Sequence, residues 1–142
     1  MAIIKEKKIT VSSVIENLSP SGAKEGEAEE TCAVYDGFLK IYDNEINISY
    51  TEKSEGGKIV SDITVGESFV RVKRVGAVES DMIFNEKTPH SSLYTVAPYS
   101  FDVTVTTKKI RNSMTREGGR IDIYYNMEIG GAAKYVKMRI EC

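Results

Sequence analysis

The feature that most constrains this chain is a two-residue alternation of apolar and polar side chains, interrupted at short intervals by Gly, Asn, Asp and Pro. Side chains of a strand point to opposite faces in turn, so such alternation describes strands with one face buried and one in water. The cleanest run sets Ile121, Ile123, Tyr125, Met127 and Ile129 against Asp122, Tyr124, Asn126 and Glu128. No segment holds a helical period, and fully parallel strands would be apolar on both faces. The chain is therefore expected to be all-β and antiparallel.

The alternating runs begin with Ile9, Val11, Ser13 and Ile15, and continue from about Glu30 to Tyr42, where Gly37 suggests a bulge or bend. Further runs follow turn signals at Asp43-Asn44-Glu45, Gly56-Gly57, Gly66-Glu67, Gly76, Asn85-Glu86-Lys87, Pro98, Glu117-Gly118-Gly119 and Gly130-Gly131. Residues 17–28 are small, polar and acidic and read as a mobile loop. Short connections make the topology a meander of about eight to nine strands. A meander leaves two exposed edges unless it curls shut, so a closed barrel is expected, spanning residues 1–142 as a single domain.

Composition matters chiefly for what it excludes. With 142 residues, 41% hydrophobic and 28% charged, the chain can build one core without metals or disulfides. A net charge of -2 gives no general electrostatic case for nucleic acid, so no such partner is expected. No apolar run approaches the roughly 20 residues of a membrane helix, and no membrane association is expected. The N-terminus places Ile3 and Ile4 before Lys5, Lys7 and Lys8, the reverse of a secretory signal, which points to the cytoplasm. Cys32 and Cys142 read as free thiols, Cys32 as a small core residue.

Motifs for catalysis are missing. His90 is the single histidine, which removes the usual nucleophile–histidine arrangements unless His90 itself is the base. One histidine and two distant cysteines argue against a metal site, and no phosphate-loop or dinucleotide signature implies a cofactor. Basic residues gather at Lys108, Lys109, Arg111, Arg116 and Arg120, but this stretch lacks interleaved aromatics and reads as a solvated hairpin end.

One residue stands apart. If the register of Val70 and Val72 persists, Arg74 points into the barrel, where an arginine costs several kcal/mol unless it is paired. Tyr50, Tyr94 and Tyr125 fall on inward registers, so Arg74 with tyrosine hydroxyls offers a grip for a carboxylate or phosphate at the barrel mouth. An internal network plugging the barrel is the alternative.

The stretch Arg74-Val75-Gly76-Ala77-Val78-Glu79-Ser80-Asp81-Met82-Ile83-Phe84 is followed by Tyr94-Thr95-Val96-Ala97-Pro98-Tyr99, Thr107 and Tyr124-Tyr125-Asn126-Met127-Glu128-Ile129. This ordered set resembles the YwiB-like family of small bacterial proteins across nearly the whole chain after about Tyr35. The resemblance implies a calycin-like β-barrel, a class that includes the lipocalins, and brings no established activity or catalytic residues. The sequence departs from the family pattern at Pro98-Tyr99-Ser100, where a glycine is expected after the tyrosine.

The sequence thus leads to a barrel that binds a small anionic or amphipathic molecule through Arg74, Tyr94, Tyr125 and His90. The alternatives are a packed interaction barrel, monomeric or homodimeric, and an enzyme using His90 or a tyrosine as acid or base. Phe69, Ile83, Tyr124 and Tyr135 are the outward apolar side chains available to an interaction surface.

Overall fold

A computed structural model describes residues 3–142. The alternating runs become ten strands: β1 (Ile3–Leu18), β2 (Lys24–Ile41), β3 (Ile46–Ser54), β4 (Gly57–Val65), β5 (Val70–Gly76), β6 (Ser80–Phe84), β7 (His90–Val96), β8 (Tyr99–Asn112), β9 (Arg120–Ile129) and β10 (Ala132–Glu141). They form one antiparallel sheet in the order β6-β5-β4-β3-β2-β1-β10-β9-β8-β7. This is a meander whose two terminal strands pair in the middle of the sheet, Val11 opposite Ile140 and Ile15 opposite Val136. The strand count slightly exceeds the expected eight to nine.

The sheet curls into a nearly closed barrel whose seam lies between β6 and β7, neighbours in sequence. Glu79 and Thr95 exchange both backbone hydrogen bonds across it, at 2.9 and 2.8 Å. Side chains lace the rest. His90 Nε2 donates to the Asp81 carbonyl at 3.2 Å. The Asn85 N–H donates to Thr107 Oγ1 at 3.1 Å, and the Ile110 N–H to the Glu86 carboxylate at 2.7 Å. Backbone groups on an edge strand need partners, and here side chains supply those that a continuous ladder would have given.

The inner face is filled. Ile9, Leu39, Ile48, Ile63, Val70, Phe84, Val103, Val105, Ile121, Ile123 and Ile140 are essentially inaccessible and form one cluster. Burial of each such side chain contributes on the order of 1.5–3 kcal/mol. A barrel of this girth has room for packed side chains or one small ligand, and apolar side chains occupy most of it here.

Three local expectations are corrected. Residues 17–28 are mostly strand rather than loop: β1 runs to Leu18 and β2 starts at Lys24, with Asn17 opposite Glu25 and Leu18 opposite Lys24, and the turn between them is confined to residues 19–23. Their polarity reflects a hairpin arm that is almost wholly exposed, and the ladder shifts register there through a bulge that includes Gly26 at φ +69°. Gly37 carries no bulge; it continues the ladder between Lys7 and Tyr50. A β-carbon there would lie 2.3 Å from the Ser49 carbonyl oxygen and 2.4 Å from Ile9 Cδ1, so close packing requires the glycine. Cys32 is exposed on the outer face opposite Ser12 rather than in the core, because alternation from Tyr35 puts it on the water side.

Candidate functional site

Cross-strand register assembles a row on the inner wall that no single segment reveals. Gly37 lies opposite Tyr50, Tyr50 opposite Ser61, Ser61 opposite Arg74 and Arg74 opposite Ser80. Directly opposed residues share a face of the sheet, so Tyr50, Ser61, Arg74 and Ser80 form a polar band. One register step deeper, the same wall carries Ile48, Ile63, Val72 and Met82, which belong to or pack on the apolar core.

Arg74 is half-buried, with a quarter of its side chain exposed. Its Nη2 donates to both carboxylate oxygens of Glu52, at 3.2 and 3.4 Å. Among the described residues, Nε and Nη1 have no such partner. A guanidinium offers five donors in a fixed fork, so this pairing leaves most of it unused. Beside the pair, the rings of Tyr35 and Tyr50 stack at 4.7 Å with 12° between their planes. Both phenols feel Glu52 and Arg74. Burial raises the Tyr35 pKa, and raises that of Tyr50 to about 12.

Ser61 is fully buried and its hydroxyl forms no well-directed hydrogen bond. It faces the Tyr50 phenol closely enough to offset part of that group's pKa rise. A buried hydroxyl held this loosely costs stability. The cluster of Tyr35, Tyr50, Glu52, Ser61 and Arg74 thus combines an aromatic face, an under-used cation and an under-satisfied hydroxyl at the margin of a packed interior.

The other sequence-derived residues lie elsewhere. Tyr125 is deep in the core against Phe84, ring centroids 4.6 Å apart and tilted by 52°, and burial alone drives its phenol pKa well above the usual value. Tyr94 is half-buried on β7, packed at the edge of the core opposite Phe101. His90 is at the seam, with one ring nitrogen held by the Asp81 carbonyl. The side-chain carboxylate of Asp81 accepts two bonds from Arg71, at 2.8 and 2.5 Å, which hold its pKa below the usual range. Arg74, Tyr94, Tyr125 and His90 therefore do not form one constellation.

Glu52, Ser61 and Tyr35 were not identifiable as partners of Arg74 from alternation alone. The turn at Glu55-Gly56 would have placed Ser61 opposite Tyr50, had the hairpin register been extended from it.

On the outer wall, a groove of about 590 Å³ lies across β9, β10, β1 and β2. Tyr124, Lys137, Arg139 and Asp122 line one side, Ser12 its floor and Cys32 and Glu30 the other. Among the described residues, no group of three His, Cys, Asp or Glu side chains is placed to hold a metal ion.

Residues 17–141 match the family described as a domain of unknown function, DUF1934. The chain is 29% identical over 100 residues to the uncharacterised β-barrel protein YwiB of Bacillus subtilis (strain 168), covering 70% of each chain. It superposes on the crystal structure of the ywiB protein from Bacillus subtilis with a TM-score of 0.73 at 27% identity, over 97% of this chain and 94% of that one.

Proposed function

The chain belongs to the DUF1934 family of uncharacterised β-barrel proteins, and from that premise we propose that it is a binding barrel for a small anionic, amphipathic molecule seated at the Arg74 margin. The observation that carries this reading is the half-buried Arg74 on an inner register, with Nε and Nη1 unpartnered among the described residues. A fully internal plug would spend those donors on protein acceptors, because unpaired buried donors are costly.

The packed core restricts the ligand to the margin. Its head group meets Arg74 and its apolar part lies along the Tyr35–Tyr50 stack. Tyr94 and Tyr125 pack at or within the core and do not grip the ligand in this arrangement.

Titration with decanoate, followed by the near-ultraviolet circular dichroism of the tyrosines, tests the proposal. Decanoate is expected to perturb that signal, and decanol, which lacks the charge, to do so far more weakly. Arg74→Gln should weaken decanoate binding by roughly tenfold or more, the range for a lost charge-assisted hydrogen bond. Glu52→Gln should tighten it by removing the negative charge that competes for Arg74. Equal binding of decanoate and decanol, or no response to Arg74→Gln, rejects the proposal.

A second reading, an interaction barrel without a small ligand, draws on the filled interior. Failure of decanoate and of other carboxylate and phosphate amphiphiles to bind would favour it. In the acid–base reading His90 would act through Nδ1, because Nε2 donates to a backbone carbonyl.

A further inference from the structure

The outer face of β8, β9 and β10 carries a second and separate arrangement. Read in isolation, the basic segment of β8 lacks aromatics, but the sheet supplies them from neighbouring strands. Lys109 lies opposite Tyr124, and Tyr124 opposite Lys137; one step along, Arg111 lies opposite Asp122, and Asp122 opposite Arg139. The bulge between Thr107 and Lys109 inserts Lys108, whose ammonium sits 5.4 Å from the centre of the Tyr135 ring. Lys137 approaches the same ring at 6.0 Å, and the Arg111 guanidinium lies 5.9 Å from the Tyr124 ring.

Two tyrosines are thus interleaved with cations on one open sheet surface. Tyr135 is opposite Asn126 and diagonal to Tyr124, a spacing of about 7–8 Å that suits two separate bases. The outer groove of about 590 Å³ opens beside Tyr124, Lys137 and Arg139, floored by Ser12. The acidic groups facing this surface are accounted for. Asp122 is held by Arg139 at 2.7 Å and Arg120 at 3.4 Å, and Glu16 pairs with Lys24 at 2.9 Å. Glu30, Glu128 and Glu141 lie at its borders. The overall charge of -2 conceals this local excess of cations.

We propose that this outer face binds single-stranded nucleic acid, with bases stacking on Tyr124 and Tyr135 and phosphates meeting Lys108, Lys109, Arg111 and Lys137. Stacked bases need aromatic side chains on the sheet surface, and the backbone needs cations between them. A duplex hides its base faces and cannot use the tyrosines. The surface is the outer one, so this inference stands apart from the Arg74 margin on the inner wall.

Fluorescence anisotropy with labelled oligo-dT and oligo-U at low salt tests it, with a duplex of the same length and long-chain polyphosphate as comparisons. At least one single strand should bind more tightly than either comparison. If about four phosphates are neutralised, the slope of log affinity on log salt should be about -3, and Lys109→Gln should reduce it by about 0.7. Tyr124→Leu and Tyr135→Leu should each weaken binding by roughly tenfold. Circular dichroism melts and the more conservative Tyr→Phe changes, expected to retain binding, separate lost stacking from lost folding. Absence of binding to both single strands overturns the proposal. So does equal binding of duplex or polyphosphate, or indifference to both Tyr→Leu changes.

Discussion

Replacing Ser61 by alanine should stabilise this protein. The hydroxyl is fully buried and has no well-directed partner, so it forfeits its hydration without full return. The penalty for such a group is about 1–3 kcal/mol. Removing one oxygen leaves a void of roughly 10–15 Å³, which at about 24 cal/mol per Å³ costs only about 0.3 kcal/mol. The facing Tyr50 phenol loses a weak contact, which trims the gain. The net expectation is a stabilisation of about 1 kcal/mol. For 142 residues the unfolding entropy is about 0.3 kcal/mol/K, so Tm should rise by about 3 °C. Urea denaturation provides the free energy, with an unchanged slope confirming that the unfolded state is not altered. A loss of about 1 kcal/mol or more would mean that Ser61 and Tyr50 form a strong bond, and would remove the under-satisfied hydroxyl from the account.

Three other perturbations probe different parts of the structure. Gly37→Ala forces a β-carbon to within 2.3 Å of the Ser49 carbonyl oxygen and should cost about 3 kcal/mol or more in urea unfolding; a loss below about 1 kcal/mol refutes the close packing there. Tyr50 ionises only at about 12 in the folded protein and near 10 when unfolded, so its contribution is intact below pH 10 and lost as pH rises towards 12. Stability measured from pH 8 to 12 should therefore fall, and fall less in Tyr50→Phe; parallel curves would contradict that assignment. His90→Phe removes the side-chain bond to Asp81, worth about 1 kcal/mol, and should accelerate hydrogen exchange along β6 while sparing the β1–β10 ladder. Uniform acceleration across the barrel would deny the seam its local character.

Much of the fold was legible because alternation reports which face of a strand is buried. The runs around Ile121 and Val103 sit on the inner wall, and the glycine and asparagine turns join neighbouring strands. Alternation does not report depth or partners. Tyr125 is inward, as its pattern implies, yet its ring packs on Phe84 in the core rather than at the mouth. Arg74 shares an inner face with Ser61 and Ser80, but its dependence on Glu52 emerges only when β3, β4 and β5 are aligned. The same limit hid the aromatic partners of Lys108 and Arg111, which come from different strands. Polarity misled at residues 17–28, where an exposed hairpin arm has the composition of a loop because neither face is buried. The seam at β6 and β7 was equally obscure, since side chains from His90, Thr107 and Glu86 do part of the joining.

The central claim is that the Arg74 margin holds a small anionic molecule. Native mass spectrometry of the protein purified from its own host tests this most directly. The account predicts a non-covalent adduct of small-molecule mass that is absent from Arg74→Gln prepared in the same way and folded to the same extent. Bare protein alone under gentle ionisation, or an adduct that survives Arg74→Gln, would contradict it.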